Sequence, residues 1–300
     1  MVVVGFIGLG LMGKPMAKRI LSAGYRMVVH SRSSPPVEEL ANLGAEKASS
    51  PKEVAEKAEI IIMMLPDSPD VRKVVLGENG IAEGASPGSI VIDMSTVSPI
   101  VEVEIAEELR KKGVEYLDAP VTGSTMGAES GTLTIMVGGS KEAFERALPV
   151  LKTMGKNIVH MGGNGMGQMT KMCNQVAVSL NLLGTCEAIL LASKAGLDPK
   201  KVIEVIGSGA AGSWQLNNLG PRMVDRDFRP GFKVEHLVKD LRIVREVTSR
   251  LNLPLLGVNM VAELVKALEQ HGYGSEGTQA LITVLEKLAT HQVGSSSRTK

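Results

Sequence analysis

The chain has 300 residues, and a typical domain size of about 150 residues predicts two domains. Apolar residues make up 44% of the sequence, which is enough for two buried cores, and the formal net charge is only +1. The net charge gives no basic field, and 3% aromatic residues give few stacking side chains, so the chain lacks both features of a nucleic-acid-binding protein. We therefore expect no nucleic-acid partner.

The first half of the chain alternates β-branched runs with stretches of helical periodicity. The run 2–8 is followed by an amphipathic stretch at 11–23 and by a second run at 25–30. Further runs lie at 59–65, 89–94, 114–119, 133–139 and 156–161, separated mostly by helix-length segments such as 98–112 and 141–154. This alternation is typical of parallel βαβ units and predicts a doubly wound, Rossmann-type α/β domain.

Beyond the glycine-rich segment 162–167, the pattern becomes entirely helical. Helices are predicted at 168–195, 199–207, 235–251, 257–271 and 275–290, punctuated by prolines and glycines. We therefore expect an α/β domain at 1–162, an all-α domain at 163–293 and a disordered tail at 294–300.

The stretch 172–192 is apolar and long enough to cross a membrane. Asn174, Gln175 and Glu187 interrupt it, which favours a helix buried between two domains. The N-terminus lacks the basic region of a signal peptide and is predicted to be a strand. We expect a cytoplasmic protein with no membrane partner.

The cysteines and histidines indicate neither disulfides nor metal. Cys173 and Cys186 lie in the apolar run and are expected to be buried free thiols in a reducing compartment. The five histidines are scattered without ligand spacing, so no metal site is predicted.

A G-x-G-x-x-G motif directly follows the first predicted strand and opens a helix. Gly8 permits the tight turn, Gly10 lets a pyrophosphate approach the backbone, and Gly13 lets helix and strand pack closely. Leu11 and Met12 lie at the helix N-terminus, whose free N–H groups attract the anion. The motif predicts a dinucleotide site; the alternative is a glycine-rich turn without a ligand.

The second strand is followed by Ser31, Arg32 and Ser33, with no acidic residue before Glu38. An NAD site usually has an acidic residue here, bonded to the ribose 2′-hydroxyl. A guanidinium flanked by hydroxyls instead suits a 2′-phosphate. We expect NADP as cofactor, with NAD accepted less well; the alternative is a solvated loop arginine.

Further candidates follow later strands. Met64, Leu65 and Pro66 end one strand and Thr96 follows another, at the sheet edge where ligands bind in open parallel sheets. We assign all four to the cofactor site. Thr96 could instead contact the substrate or belong to an ordinary helix start.

Asp118 ends another strand and is followed by Thr122, Gly123 and Ser124. A turn with hydroxyls and a glycine can present N–H groups to a small carboxylate, although an ordinary turn has the same composition. These three residues are candidates for substrate binding, and a structural role is favoured for Asp118.

Lys171 opens the apolar run with no charged residue within ten positions before it and none after it until Glu187. It is either a surface lysine at a helix start or a proton donor in a cleft. Asn174 lies three residues later, on the same helix face.

Together these segments resemble the β-hydroxyacid dehydrogenase family, which includes the 3-hydroxyisobutyrate dehydrogenases, over residues 2–293. The resemblance is carried by GFIGLGLMGKPMA, by DAPVTGS, by the spacing of Gly165, Gly167, Lys171 and Asn174, and by Lys239-Asp240-Leu241. Within the family, GENGI, MVDRDFRPGF and GLDPKKV are most similar to the tartronate semialdehyde reductases. The substrate loop often reads DAPVSGG in this family, so Thr122 and Ser124 are departures, as is Arg32.

The resemblance implies roles for three residues. Lys171 is the catalytic acid/base and also contacts the substrate, Asn174 binds or orients the substrate, and Lys239 reaches the cofactor. A free lysine has a pKa of about 10.4. Desolvation by the apolar run would have to lower the pKa of Lys171 for catalysis at neutral pH. Trp214 and Phe232 could line the pocket, but packing is favoured for both.

The implied reaction is hydride transfer between a nicotinamide and a small carboxylate substrate. Candidate substrates are tartronate, succinic or methylmalonate semialdehyde, or glyoxylate. The alternatives are a non-catalytic NADP-binding scaffold and a 6-phosphogluconate-type oxidative decarboxylase, which needs a phosphate-binding arginine set and a larger second domain. The helical domain is expected to form a homodimer or homotetramer.

Overall fold

A computed structural model describes residues 2–294, in which the chain forms two compact units, Met1–Lys171 and Met172–Lys300. A single helix begins in the first unit and continues into the second. The predicted domain division after residue 162 stays a prediction. Except for Gly294, the tail predicted to be disordered lies outside the described residues.

The first unit contains a sheet whose strand order is β3-β2-β1-β4-β5-β6-β8-β7, with β9 paired to β8. The strands are β1 Val3–Ile7, β2 Arg26–His30, β3 Glu46–Lys47, β4 Ile60–Met63, β5 Ile90–Asp93, β6 Glu115–Asp118, β7 Val121–Thr122, β8 Leu133–Gly138 and β9 Gly155–Gly162. The seven predicted strands are all present, and β3 and β7 are short additions. Strands β1 to β6 pair in parallel, which confirms the doubly wound fold.

Strand β8 departs from the parallel pattern. It is antiparallel to β6 and β7 and parallel to β9. The connection from β7 to β8 spans only residues 123–132. Parallel neighbours need a crossover of about a dozen residues or more, so this connection returns the chain in the opposite direction.

Helices cover both faces of the sheet. They are α1 Gly13–Ser22, α2 Ser34–Asn42, α3 Pro51–Lys57, α4 Ser68–Leu76, α5 Ile81–Gly84, α6 Pro99–Arg110, α7 Ser124–Ser130 and α8 Lys141–Leu151. Alternate strand residues point to opposite faces, and both faces are apolar. Phe6 and Ile62 pack into one core, whereas Ile7 and Ile61 pack into the other.

The second unit is helical. Helix α9 Met166–Lys194 leads into it, followed by α10 Pro199–Gly207, α11 Gly220–Val224, α12 Val234–Arg250, α13 Leu256–Leu268 and α14 Ile282–Ala289. Within residues 2–294 no strand follows β9, as predicted. The predicted helix 257–271 corresponds to α13 and the π-helix that follows it, Glu269–Tyr273, in which Gly272 has the non-helical φ of 88°. The π-helix Gln215–Leu219 and α11 were not predicted.

Helix α9 is, within residues 2–294, the one helix long and apolar enough for a membrane span, with a mean hydropathy of 1.7. Core helices of globular proteins meet the same test, and 39% of its most apolar window is buried. Cys186 is buried as expected, but the expectation is wrong for Cys173, which is exposed because consecutive helix residues point in different directions. Trp214, for which packing was favoured, is 48% exposed.

Candidate active site

The predicted site residues of the first unit lie at one edge of the sheet. Strands β2, β1, β4, β5 and β6 are consecutive neighbours and run parallel, so their carboxyl ends share this edge. The loops that leave these ends contain the glycine motif, the serine–arginine segment, Met64–Pro66, Thr96 and the turn after Asp118. The fold thus brings together segments far apart in the sequence, as expected for a ligand-binding edge.

The glycine motif has the geometry of a dinucleotide-binding turn. Gly8 has φ 93°, and a Cβ there would lie 2.3 Å from the Met64 carbonyl oxygen. At Gly13 a Cβ would lie 1.9 Å from the Gly8 oxygen, so both positions need glycine. At Gly10 nothing lies within 4 Å of a Cβ, which leaves open space above the backbone. Met12 precedes α1 without a side-chain cap, so the helix N-terminus and this space fit a pyrophosphate.

The segment after β2 presents Arg32 to solvent. Its side chain is 82% exposed, and its Nη1 lies 3.6 Å from Asp70 Oδ1. Ser31 Oγ accepts a 3.4 Å hydrogen bond from the Leu9 N–H, which ties this segment to the glycine turn. Ser33 is the N-cap residue of α2 without a side-chain capping bond. An accessible guanidinium beside two hydroxyls fits a phosphate group.

The loops after β4 and β5 are tied together by hydrogen bonds. Met64 N–H donates to the Ile7 carbonyl oxygen at 2.9 Å, and Leu65 N–H donates to Ser95 Oγ at 2.8 Å. Pro66 is exposed, and Thr96 is half-buried between two fixed neighbours. These bonds give the predicted cofactor loops a defined geometry.

Lys171 is buried, with a relative exposure of 7%, so it is not a surface lysine. Its Nζ donates a 2.9 Å hydrogen bond to the carbonyl oxygen of Val121, immediately before the predicted substrate loop. The structure therefore brings the candidate acid/base to the candidate carboxylate-binding turn, although the two are 50 residues apart in the sequence.

Asp118 fixes the start of helix α9, and so the position of Lys171. Its Oδ1 accepts from the Gly165 N–H at 2.7 Å and its Oδ2 from the Gln168 N–H at 2.9 Å. The carboxylate thus caps two of the N–H groups that a helix start leaves unpaired. Burial raises the pKa of Asp118 to about 6, against the lowering effect of these two N–H groups.

The backbone at the start of helix α9 requires glycine at positions 165 and 167. Gly165 has φ 88°, and a Cβ at Gly167 would lie 2.4 Å from the carbonyl oxygens of both Asp118 and Met136. The helix start therefore lies against the main chain of β6 and β8 at a distance that only glycine allows at position 167.

The turn after β7 has a positive φ at two successive residues. Gly123 has φ 134°, and Ser124 has φ 60°, a conformation that a non-glycine residue rarely adopts. Ser124 Oγ is buried and has no hydrogen-bond partner among residues 2–294. A buried hydroxyl without a partner is costly, so this atom is a candidate for contact with a ligand.

In the second unit Asn174 and Lys239 belong to one polar network. Asn174 Nδ2 donates to Gln175 Oε1 at 2.8 Å, and Gln175 Nε2 donates to Asp240 Oδ2 at 2.6 Å. Asp240 Oδ1 lies 2.9 Å from Lys239 Nζ. No role was predicted for Gln175 or Asp240. Gln175 could have been noticed as a polar residue in the apolar helix α9.

A second hydrogen-bond network, which was not predicted, is buried in the first unit and joins Glu102, Tyr116 and Gln168. Tyr116 Oη donates to Glu102 Oε2 at 2.5 Å, and Gln168 Nε2 donates to Glu102 Oε1 at 2.8 Å. Burial raises the pKa of Glu102 well above its usual value, and the charges of Asp93 and Asp118 raise it further. Within residues 2–294 no group of three or more His, Cys, Asp or Glu side chains is arranged to hold a metal ion.

Comparison with protein families agrees with the geometry of each half. Residues 3–163 match the family model of the NAD-binding domain of 6-phosphogluconate dehydrogenase. Residues 165–285 match the NAD-binding domain of NADP-dependent 3-hydroxyisobutyrate dehydrogenase. The chain is therefore an oxidoreductase with nicotinamide-dinucleotide-binding domains.

Whole-chain relatives define the family. The chain is 41% identical over 290 residues to the 2-hydroxy-3-oxopropionate reductase of Escherichia coli, covering 97% of this chain and 99% of the relative. It is 35% identical over 291 residues to the mitochondrial 3-hydroxyisobutyrate dehydrogenase of Mus musculus, covering 95% and 87%. A structure of the Mycobacterium tuberculosis 3-hydroxyisobutyrate dehydrogenase with L-serine is similar at a TM-score of 0.87 and 29% identity, covering 95% and 99%. The chain belongs to the β-hydroxyacid dehydrogenase family, which confirms the resemblance.

Proposed function

We propose that the protein is an NADP-preferring reductase of small semialdehydes that carry a carboxylate, acting reversibly on the corresponding hydroxy acids. Tartronate, methylmalonate and succinic semialdehydes and glyoxylate are the candidate substrates. The observation that carries the proposal is the buried Lys171 ammonium, 2.9 Å from the Val121 carbonyl oxygen and beside the turn 122–124. The relatives named as a reductase and a dehydrogenase support the same chemistry.

The nicotinamide, when bound, supplies the hydride for reduction. Lys171 Nζ donates its proton to the oxygen that becomes the alkoxide, and the reverse reaction returns the proton to Nζ. The bond to Val121 holds the ammonium in one orientation, which is the positioning that general acid catalysis requires. Thr122, Gly123 and Ser124 bind the substrate carboxylate and polar groups, and Asn174 orients the substrate.

The cofactor is assigned to the residues at the sheet edge. Gly8, Gly10 and Gly13, with Leu11 and Met12, hold the pyrophosphate, and Arg32 with Ser31 and Ser33 holds the 2′-phosphate. Met64, Leu65, Pro66 and Thr96 line the nicotinamide half, and Lys239 is assigned to the cofactor by the family resemblance. This assignment rests on the open space at Gly10 and the exposure of Arg32.

Two experiments test the proposed function. First, a panel of three- and four-carbon semialdehydes assayed with NADPH and NADH identifies the substrate and excludes a scaffold without turnover. Second, Lys171→Ala should lower the single-turnover rate of hydride transfer by about 10²–10⁴-fold, because a general acid contributes about that much. NADPH affinity should change little, and Lys171→Arg should not restore the rate, because arginine keeps its proton.

Lys194→Ala is the matched control, because Lys194 lies on the same helix and also donates to a backbone carbonyl, that of Ala289 at 3.1 Å. Lys194 is exposed, so this variant should keep the parent rate. A rate for Lys171→Ala within a few-fold of the Lys194→Ala rate would remove Lys171 from the mechanism.

The proposal includes a cytoplasmic homodimer or homotetramer and a functional division into 1–162 and 163–293. Large apolar side chains of the second unit support an interface, since Leu191 and Val205 are each 71% exposed and Leu256 is 81% exposed. Light scattering at assay concentration measures the subunit number, and a monomer would contradict this part of the proposal.

A further inference from the structure

Gln168 bonds to the main chain on both sides of Thr96. Its Nε2 donates to the Ser95 carbonyl oxygen at 2.8 Å, and its Oε1 accepts from the Val97 N–H at 3.2 Å. Gln168 is fully buried and lies three residues before Lys171 on helix α9. One side chain therefore joins the helix that carries the candidate acid/base to the loop after β5.

The primary amide of Gln168 matches its surroundings because it offers two N–H donors, to Ser95 and Glu102, and one acceptor, to Val97. A carbonyl oxygen and an N–H group on either side of one residue require a donor and an acceptor at fixed spacing, and the glutamine head group supplies both. An ionised glutamate would lack the donor. Methionine would lack the donor and would offer only a weak sulfur acceptor. The Ser95 carbonyl oxygen and the Val97 N–H therefore favour glutamine at position 168.

Glu102 holds the amide of Gln168 in this orientation. Its Oε1 accepts a second bond from Gln168 Nε2, and its Oε2 accepts from the Tyr116 hydroxyl. Glu102 has no exposed surface, and Asp93 and Asp118 lie close enough for their charges to disfavour its ionisation. The amide can then point its nitrogen only toward Ser95 and its oxygen toward Val97.

Helix α9 is tied to the sheet edge at two places. Asp118 binds the N–H groups of its first turn, and Gln168 ties the same turn to the loop after β5. The first contact fixes the helix relative to β6, and the second fixes the loop with Thr96 relative to the helix. The pairing of β5 with β6 already places the two strand ends side by side, and the Gln168 contact adds a direct bond between the helix and the two residues that flank Thr96.

We propose that Gln168 is a positioning residue that sets the distance between Lys171 and the loop carrying Thr96, and that Glu102 acts by orienting the Gln168 amide. The inference rests on the proposed function, in which Lys171 donates the proton and Thr96 lines the nicotinamide half of the site. Its consequence is that the proton donor and the hydride donor are aligned through one buried amide.

The test is single-turnover hydride transfer from NADPH to the preferred semialdehyde. Gln168→Met keeps the length of the side chain but removes both bonds, so the rate should fall by about 10²-fold, the loss typical of a misplacement of about 1 Å. NADPH affinity should stay within about threefold of the parent, because the glycine turn is untouched. Glu102→Leu removes the acceptor for Gln168 Nε2, so the rate should fall in the same direction as in Gln168→Met, and a parent-like rate would contradict the orienting role of Glu102.

Gln279→Met is the matched control. Gln279 is also buried, and its Nε2 also donates to two backbone carbonyls, those of Asp227 at 2.9 Å and Arg229 at 3.1 Å. It lies outside every group of residues assigned to the site. Its variant should lose stability in the same way while keeping the rate of hydride transfer. Equal rates in the two methionine variants would overturn the inference.

Hydrogen exchange separates this inference from the proposed function. The Val97 amide should exchange faster in Gln168→Met than in the parent and in Gln279→Met, and this readout needs no turnover. Unchanged exchange at Val97 would overturn the positioning role even in an active enzyme. If the parent reduces no semialdehyde, the proposed function fails, and the exchange of Val97 still decides whether Gln168 holds the loop.

Discussion

Gly167→Ala should damage the enzyme by moving the start of helix α9. A Cβ at this position would lie 2.4 Å from the carbonyl oxygens of Asp118 and Met136, about 1 Å short of ordinary contact at 3.4 Å. Both obstacles are main-chain atoms of sheet strands, which cannot rotate away. The first turn of the helix must therefore shift by about 1 Å, and Lys171 lies one turn further along.

The size of the effect follows from this displacement. Overpacking of this kind costs about 1–3 kcal/mol of unfolding free energy. A displacement of about 1 Å at the proton donor lowers the rate of hydride transfer by up to about 10²-fold. Thermal unfolding measures the first quantity, and single-turnover NADPH absorbance measures the second.

Gly184→Ala provides the control within the same helix. Gly184 is exposed, and nothing lies within 4 Å of a Cβ built there. Alanine should stabilise the protein by about 1 kcal/mol through helix propensity, with an unchanged rate. The reasoning is refuted if Gly167→Ala is as stable and active as the parent, or if the two substitutions have the same effect.

Three further substitutions test other parts of the site. Arg32→Asp should narrow or reverse the ratio of kcat/KM for NADPH over NADH, because it removes the exposed guanidinium and adds a charge near Asp70; an unchanged ratio would show that Arg32 does not meet the 2′-phosphate. Ser124→Gly should raise the unfolding free energy by about 1 kcal/mol, because it relieves the φ of 60° and removes the buried hydroxyl, while kcat/KM falls; lower stability with unchanged kcat/KM would exclude a ligand role. Burial raises the pKa of Asp118 to about 6, so its protonated form stabilises the native state at about pH 4, and this contribution of at most about 3 kcal/mol is lost as pH rises through about 6. The unfolding free energy of the parent minus that of Asp118→Asn should fall over this range, and a constant difference would contradict the assignment.

Local patterns predicted most of the elements and several site residues. The alternation of apolar runs predicted seven strands, and G-x-G-x-x-G predicted a turn in which Gly8 and Gly13 are indeed sterically required. The isolation of Lys171 in an apolar run indicated that its ammonium group needs a specific environment. Its burial and its bond to Val121 agree with that interpretation.

Errors occurred where non-local geometry decides the outcome. The antiparallel direction of β8 follows from a short connection between β7 and β8. The segment after α13 is a π-helix, Glu269–Tyr273, which the apolar pattern does not distinguish from an α-helix. Cys173 is exposed because the apolar run winds around a helix and only part of that helix is covered.

The sequence by itself determined the α/β and all-α halves, the dinucleotide turn and the candidate lysine, because periodicity, turn chemistry and isolated charge are properties of neighbouring residues. Only the tertiary structure decided which groups Asp118, Glu102 and Gln168 contact. Each of these side chains bonds to groups contributed by distant segments, and the strand order alone brings those segments together at one edge of the sheet. A hydrogen bond acts only over about 3 Å, so a residue whose partners come from different strands has no signature in its own sequence neighbourhood.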